Sequence, residues 1–114
     1  MIISFQGYKS PIKTMWRRGE LPKVRYGLYG DRLTSSNISA DHLVPVSLGG
    51  KTTLGNIALA SKRANEMRGN KPLKDFVTKE MAWNYIGEFY NDQRKVIQEY
   101  VKAIYKTFKE LGVL

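Results

Sequence analysis

The sequence predicts an α+β domain in which a small strand–loop–strand–helix unit follows an irregular basic region and precedes a helical extension. Three observations lead to this prediction. Six Gly or Pro residues interrupt residues 1–37, short apolar runs flank a Gly-Gly loop within residues 38–71, and apolar residues recur every three or four positions in residues 72–114. A chain of 114 residues is expected to form a single domain.

The first region, residues 1–37, is expected to hold one short helix. In KSPIKTMWRRGE the helix runs from Pro11 to about Arg18, with Ser10 as the N-cap and proline at the first helical position. Gly-Asp at 30–31 and Ser-Ser-Asn at 35–37 are typical of turns.

The central region, residues 38–71, alternates short elements with a loop. A strand is predicted from Ile38 to Leu43, and Gly49-Gly50 makes VSLGGKTTLG a loop. The next apolar run, NIALA, is too short to assign by periodicity alone. Ser61 is then the predicted N-cap of a short helix that ends at Gly69.

The last region, residues 72–114, is strongly helical in pattern. Whether Asn91-Asp92 separates two helices or lies inside one long helix is left open by the sequence. The earlier part has one predicted apolar face, which consists of Leu73, Phe76, Val77, Trp83, Ile86 and Tyr90. The later part repeats at three and four residues and predicts an amphipathic helix through Ile97, Tyr100, Val101, Ile104, Tyr105, Phe108 and Leu111.

The net charge of +9 is unevenly distributed along the chain. Residues 1–75 hold 13 Lys and Arg against five Asp and Glu, whereas residues 76–114 hold six against five. A basic two-thirds beside a near-neutral tail favours a face that binds a polyanion, and nucleic acid is the partner we expect. The alternative is that the charge serves solubility alone. Arg17 and Arg18, in the irregular basic region, are candidate phosphate contacts.

The composition also bears on the cellular compartment. The chain has no cysteine, which excludes disulfides and thiolate metal sites. Its start, MIISFQGYKSPIK, lacks the basic residues and long apolar run of a secretory signal. No apolar stretch approaches the roughly 20 residues of a membrane span. We therefore expect a soluble cytoplasmic protein with no membrane partner.

The stretch ADHLVPVSLGG contains the only histidine, His42, directly after Asp41. Neighbouring side chains on a strand point to opposite faces, so both reach one site only if the strand ends or twists there, as Pro45 allows. A hard divalent cation prefers oxygen ligands, which Asp41, Asn56 and Asn65 can supply, while His42 could take a proton from water. Each of these residues, taken singly, is more often structural or solvated. Four basic residues on the following predicted helix and its exit could hold phosphates: Lys62, Arg63, Arg68 and Lys71.

Taken together, these residues resemble the HNH nuclease signature of the ββα-metal superfamily. That signature consists of Asp-His, an apolar pair, Pro, a Gly-Gly loop, an Asn before an apolar strand, and Asn-x-x-Lys/Arg-Gly-Asn. The matching segments occur in the same order and with typical loop lengths within residues 41–70: Asp41–Pro45, Gly49-Gly50, Asn56–Leu59 and Asn65–Asn70.

The resemblance implies a small ββα-metal core and a metal-dependent endonuclease that hydrolyses or nicks DNA, with double-stranded DNA as the partner. His42 resembles the general base that deprotonates water for attack on a phosphodiester. Asp41 and Asn65 resemble the ligands of the divalent cation, for which Mg²⁺ is the first choice and Mn²⁺ a substitute. Asn56, the middle residue of the motif, would support the loop and orient His42, and it is counted with His42 among the catalytic residues.

The chain departs from many HNH domains at the positions of a structural zinc. Two Cys-x-x-Cys pairs bind that zinc, and the matching positions here are Tyr26, Tyr29, Ser61 and Ala64. Because tetrahedral zinc needs four good ligands, the resemblance is to a zinc-free variant of the His-Asn-Asn type. We expect packing to replace the metal. Tyr26 and Tyr29 would fill the space above the short helix, and the long C-terminal helix would brace the core.

Two further functions fit the same residues. One is a nucleic-acid-binding module that keeps the fold without chemistry, although binding alone would not require Asp41, His42, Asn56 and Asn65 together. The other is a nuclease toxin domain with an immunity partner, for which no acidic-protein docking pattern is visible. Small free-standing HNH proteins are common in phages and mobile elements, which by analogy suggests a bacterial or phage-infected cell.

Overall fold

The computed structural model describes residues 11–114, in which four α-helices accompany one two-stranded antiparallel sheet. The predicted α+β class is confirmed. In chain order the elements are α1 (Pro11–Arg17), β1 (Ile38–His42), β2 (Ile57–Ser61), α2 (Lys62–Arg68), α3 (Lys79–Gly87) and α4 (Lys95–Glu110), with 3-10 turns at Val46–Leu48, Leu54–Asn56 and Leu73–Asp75.

Within residues 11–37 the only helix is the predicted one. α1 begins at Pro11 and ends one residue before the predicted end, and Ile12 anchors it in the core. The predicted N-cap, Ser10, lies outside the described residues. The chain then runs to β1 largely without regular structure. It still contributes four buried apolar side chains to the main core: Leu21, Val24, Leu28 and Leu33.

The two strands form a short antiparallel ladder. Ile38 lies opposite Ser61 and His42 lies opposite Ile57. β1 ends one residue earlier than predicted, and the apolar run NIALA, which periodicity could not assign, provides most of β2. All five residues of β2 are buried, so this strand lies inside the protein on both faces.

No third strand pairs with the edge of β2 that faces away from β1 within residues 11–114. The backbone amide and carbonyl groups of this edge form hydrogen bonds with tyrosine side chains and with the backbone of Leu28. The Leu28 amide donates to the Leu59 carbonyl oxygen (2.9 Å), and the Leu59 amide donates to the Tyr85 hydroxyl (2.8 Å). The Tyr100 hydroxyl donates to the Ile57 carbonyl oxygen (2.7 Å) and lies 2.7 Å from that of Tyr85. Burial raises the pKa of both tyrosines, so they stay protonated. These bonds attach α3 and α4 to the sheet.

The helical extension consists of two helices, which answers the question left open at Asn91. α3 begins only at Lys79, where the Thr78 side chain caps it by accepting from a backbone amide. Before α4 the chain turns at Asp92, whose Oδ1 accepts from the backbone N–H of Arg94 at 3.0 Å. Among the helices of residues 11–114, none combines the length and the hydropathy needed to cross a bilayer.

The predicted apolar faces agree with the structure for most of α4, where Tyr105 is the exception at 36% exposed, and only partly for α3. Trp83 and Tyr90 are 49% and 74% exposed, whereas Tyr85 and Phe89, which the prediction omits, are buried. The reason is that a 3-10 turn and an extended residue precede α3, so a helical phase counted from Leu73 does not carry through. In α4 the predicted face is buried along its centre, at Ile97, Tyr100, Ile104 and Phe108.

The long helix α4 braces the turn that leads into β2, as the sequence predicts. It packs against Leu54–Asn56. A Cβ atom at Gly55 would lie 2.9 Å from the carbonyl oxygen of Ala103, so this close approach of two backbones requires glycine. The position of Asn56 is therefore set by the C-terminal helix.

Candidate active site

Three of the predicted site residues lie around one open cleft of about 240 Å³ at the end of β1. Asp41, His42 and Asn65 line it, together with Gly69 and Asn70 at the exit of α2. β1 ends at His42, the residue after Asp41, and both residues line the cleft. The condition under which both could share a site is met.

Asp41 is only 4% exposed and is held by two side chains. The Tyr29 hydroxyl donates a hydrogen bond to its Oδ2, and Nη1 of Arg68 lies 3.7 Å from its Oδ1. Burial raises the pKa of Asp41 above its usual range, although Tyr29 and Arg68 act in the opposite direction. Burial also raises the pKa of Tyr29, with a further contribution from the Asp41 carboxylate, so Tyr29 remains a hydroxyl donor.

Arg68 is an internal clamp and not the exposed phosphate contact that the sequence predicts. It is 1% exposed. Its Nη1 donates to the His42 carbonyl oxygen (2.8 Å), its Nη2 to that of Leu43 (2.6 Å) and its Nε to that of Lys71 (2.9 Å). The flat guanidinium therefore ties the end of β1 to the exit of α2, where a Lys side chain could not form the same fork.

The other five predicted phosphate contacts are exposed, and none of them is among the residues that line the cleft. The ammonium group of Lys71 lies 5.2 Å from the centre of the Phe76 ring, which places one cation close to the chain that leaves α2. DNA contact by these side chains stays a prediction. They are Arg17, Arg18, Lys62, Arg63 and Lys71.

Asn56 closes the loop that follows β1. Its Oδ1 accepts from the Val44 amide (2.8 Å), and its Nδ2 donates to the carbonyl oxygens of Val44 (3.1 Å) and Lys51 (2.9 Å). The side chain is buried and is not among the residues lining the cleft. All three bonds go to backbone atoms, so Asn56 acts on the loop and not on a ligand. This arrangement matches the supporting role that the resemblance implies.

The Gly-Gly pair in this loop has a separate physical reason at each position. Gly49 has a φ of +90°, in the left-handed region that favours glycine. A Cβ atom at Gly50 would lie 1.7 Å from the carbonyl oxygen of Val44, which no side chain permits. Gly50 is therefore sterically required for the loop to return to Asn56, whereas Gly49 lowers the conformational cost of the left-handed turn.

His42 is half-buried, and its Nε2 lies 2.9 Å from the Thr52 hydroxyl. Sequence reasoning did not identify Thr52, because a hydroxyl residue two positions after a Gly-Gly pair has no distinctive pattern. Only the closed loop brings it back to the histidine.

Asn65 lies on α2, whose start follows the prediction. The Ser61 hydroxyl accepts from the Ala64 amide at 3.2 Å, which confirms Ser61 as the N-cap, and Gly69 ends the helix with a φ of +55°. The Asn65 Nδ2 donates to the Ser39 hydroxyl at 3.2 Å. The amide is thereby oriented by β1, and its oxygen remains for another partner.

The donor atoms of this cleft suit a hard divalent cation. Within residues 11–114, neither Oδ1 of Asp41 nor Oδ1 of Asn65 makes a hydrogen bond, and both residues line the cleft. The same part of the chain holds no cluster of three or more His, Cys, Asp or Glu that could bind a metal. Mg²⁺ commonly takes one or two protein oxygens and completes its shell with water and phosphate oxygens, so a carboxylate and an amide oxygen are donor types that could hold it.

Tyr26 and Tyr29 are the tyrosines expected to pack where the HNH resemblance implies zinc ligands, and the packing expectation is right for one and wrong for the other. Tyr29 is half-buried against the core and reaches Asp41. Tyr26 is 47% exposed and carries the Arg32 guanidinium 5.7 Å from its ring centre, so it does not fill the space above α2. The backbone of Tyr26 forms an isolated antiparallel bridge with that of Arg32.

A scan against protein-family models and searches of curated proteins and of solved structures found no match to this chain. Function is therefore inferred from the residues and their geometry.

Proposed function

We propose that this protein is a divalent-cation-dependent endonuclease of the HNH type, with a ββα-metal core and double-stranded DNA as its substrate. The observation that carries the proposal is the convergence of Asp41, His42 and Asn65 on one cleft, with Asn56 closing the loop behind them. The element order β1–β2–α2 supports it, because the first strand supplies Asp41 and His42 to the cleft and the helix supplies Asn65.

In this proposal each residue has one chemical task. The imidazole of His42 accepts the proton of a water that attacks the phosphodiester, a contribution of about 10²- to 10⁴-fold in rate. Asp41 and Asn65 would hold the cation through their Oδ1 atoms, which make no hydrogen bond within residues 11–114. When bound, the cation stabilises the charge that develops on the phosphate and the leaving oxygen. The exposed basic residues, such as Lys62 and Arg63 on α2, hold the DNA backbone and carry no sequence information.

One observation favours the second candidate, a binding module without chemistry. Arg68 lies 3.7 Å from Oδ1 of Asp41, the oxygen that the cation would use. A guanidinium at that distance already offsets part of the carboxylate charge and competes with a metal ion. In that case the cleft would be a structural ion pair, and the basic surface alone would bind DNA.

The two candidates are separated by plasmid cleavage. Supercoiled DNA is incubated with wild type, with His42→Ala and with Ser47→Ala, in Mg²⁺, in Mn²⁺ or in EDTA. Ser47 is exposed on the turn beside the cleft and serves as the matched control. We expect metal-dependent nicking or linearisation by wild type and by Ser47→Ala, and a rate at least about 10²-fold lower for His42→Ala.

Equal cutting by His42→Ala and wild type would refute the assigned mechanism. DNA binding with no metal-dependent cutting under any of these conditions would favour the binding module. Thermal unfolding of each variant, measured alongside, shows that a lost activity is not a lost fold.

A further inference from the structure

The imidazole of His42 makes one hydrogen bond within residues 11–114, between Nε2 and the Thr52 hydroxyl at 2.9 Å. Both residues are half-buried. A neutral imidazole has one donor nitrogen and one acceptor nitrogen, so the role of Nε2 in this bond decides what Nδ1 can do. A hydroxyl can either donate or accept, and the two cases leave opposite tautomers.

The position of Thr52 is not accidental, because the backbone on both sides of it is held. Lys51 precedes Thr52, and its carbonyl oxygen accepts a hydrogen bond from Nδ2 of Asn56 at 2.9 Å. The amide of Thr53, the following residue, donates to the same oxygen at 3.0 Å, and the carbonyl of Thr53 accepts from the Asn56 amide at 3.0 Å. The Thr52 hydroxyl is thus presented to His42 by a closed loop.

We propose that Thr52 is a positioning residue for His42, accepting a hydrogen bond from Nε2–H and so fixing the ring and leaving Nδ1 as the proton acceptor. The inference rests on the proposed function, in which His42 is the general base. The inference also gives Asn56 a path to His42. Asn56 holds the loop, and the loop presents the Thr52 hydroxyl to the imidazole. The reverse arrangement, with the hydroxyl donating to Nε2, would put the proton on Nδ1 and leave no acceptor for water.

The tautomer can be measured without any nuclease assay. His42 is the only histidine of this 114-residue chain, so long-range ¹H–¹⁵N correlation spectra of the uniformly ¹⁵N-labelled chain contain a single imidazole pattern. At a pH where the ring is neutral, we expect the Nε2–H pattern in wild type and in Thr52→Ser. We expect a mixture of both tautomers in Thr52→Val, which has the same shape without the hydroxyl. An Nδ1–H pattern in wild type, or an unchanged pattern in Thr52→Val, would overturn the proposal.

Kinetics then test the consequence for catalysis. Removing the outer partner that orients a metal-ligating histidine typically costs about 10- to 100-fold, and we expect the same range for a histidine that acts as a base. We expect Thr52→Val to lower kcat by that factor with KM unchanged, and Thr52→Ser to restore it. Thr53→Val is the matched control, because the Thr53 hydroxyl makes no capping hydrogen bond to the Leu54–Asn56 turn that follows it.

The outcomes separate the two hypotheses. Wild type that never cuts DNA refutes the proposed function, and the tautomer spectra still decide the orientation of the ring. Wild type that cuts, together with Thr52→Val at the wild-type rate, refutes the positioning role alone. A Thr52→Ser variant as slow as Thr52→Val would do the same, since the hydroxyl would then not be the group that matters.

Discussion

Replacing Arg68 by methionine tests the buried cation that joins β1 to the exit of α2. Methionine keeps an unbranched side chain of high helix propensity and removes the guanidinium. Three hydrogen bonds are lost, to the carbonyl oxygens of His42, Leu43 and Lys71 at 2.8, 2.6 and 2.9 Å. The buried carboxylate of Asp41 also loses the cation 3.7 Å from it.

The expected loss of stability is about 3–5 kcal/mol. Removing one partner of a buried ion pair costs about that much, because the other charge is left without compensation. Hydrogen bonds from a charged group contribute about 1.5–3 kcal/mol each, but these three share one guanidinium and do not add independently. Since a domain of this size has a total stability of about 5–15 kcal/mol, the variant should keep its fold only marginally. The melting temperature should fall by roughly 10–20 °C.

Urea unfolding at neutral pH, followed by circular dichroism, measures this loss. The matched control is Arg63→Met, the same substitution at an exposed position of α2, which should stay within about 0.5 kcal/mol of wild type. The double variant Asp41→Asn with Arg68→Met should be more stable than the sum of the two single losses predicts, by about 0.5–3 kcal/mol, because no carboxylate charge is then left unpaired.

The clamp interpretation would be refuted by a loss below about 1 kcal/mol together with weaker DNA binding and a shallower dependence of binding on salt. That pattern is the one expected of an exposed phosphate contact. A large stability loss that the double variant does not relieve would assign the effect to the three carbonyl bonds alone.

Three further predictions concern the loop after β1, the edge of β2 and the carboxylate at the end of α3. Gly49→Ala, in the left-handed region, should lower the free energy of unfolding by about 1–2 kcal/mol. Gly50→Ala should lower it by more, because the Cβ atom at residue 50 would lie 1.7 Å from the Val44 carbonyl oxygen. Equal losses of the two variants in urea unfolding would contradict this explanation of the loop. Tyr100→Phe should cost about 1–3 kcal/mol by leaving a buried β2 carbonyl unpaired, and hydrogen exchange should accelerate at β2; unchanged exchange would argue against the hydroxyl chain. Burial raises the pKa of Glu88, so the folded state holds its proton more tightly, and its contribution to stability falls as pH rises from the unfolded pKa through the folded one. Glu88→Gln keeps an oxygen for two backbone donors 3.0 Å away and should remove that fall, and unfolding free energies that decline equally in both proteins would show that Glu88 is not its source.

Much of the secondary structure follows from short-range chemistry that the sequence displays. α1 begins at a proline, α2 begins after a serine cap, and β1 is found within one residue of its predicted end. These features depend on groups within three or four residues of each other. The prediction that Trp83 and Tyr90 belong to the buried face is wrong for a related reason. Helical periodicity is a local signal that holds only along an unbroken helix, and the chain is interrupted before α3.

In the candidate site, too, some residues could be selected from the sequence and others could not. Asp41, His42, Asn56 and Asn65 could be selected from their types and spacing, and the structure brings three of them to one cleft with the fourth closing the loop. Their roles in catalysis remain proposals. The partners of these residues could not be selected. Thr52 has an ordinary loop composition, and Arg68 looks like one more member of a basic helix.

By itself, then, the sequence determined where chain reversal, capping and helical periodicity occur, and which residue types occur at the spacing of a nuclease motif. Tertiary structure decided which groups are desolvated and what they meet. Arg68 is buried because three backbone carbonyls and a carboxylate converge on it from segments up to 27 positions apart. Thr52 reaches His42 because a glycine pair and an asparagine close the loop between them. Both contacts depend on distances across the fold, which no local pattern of residues encodes.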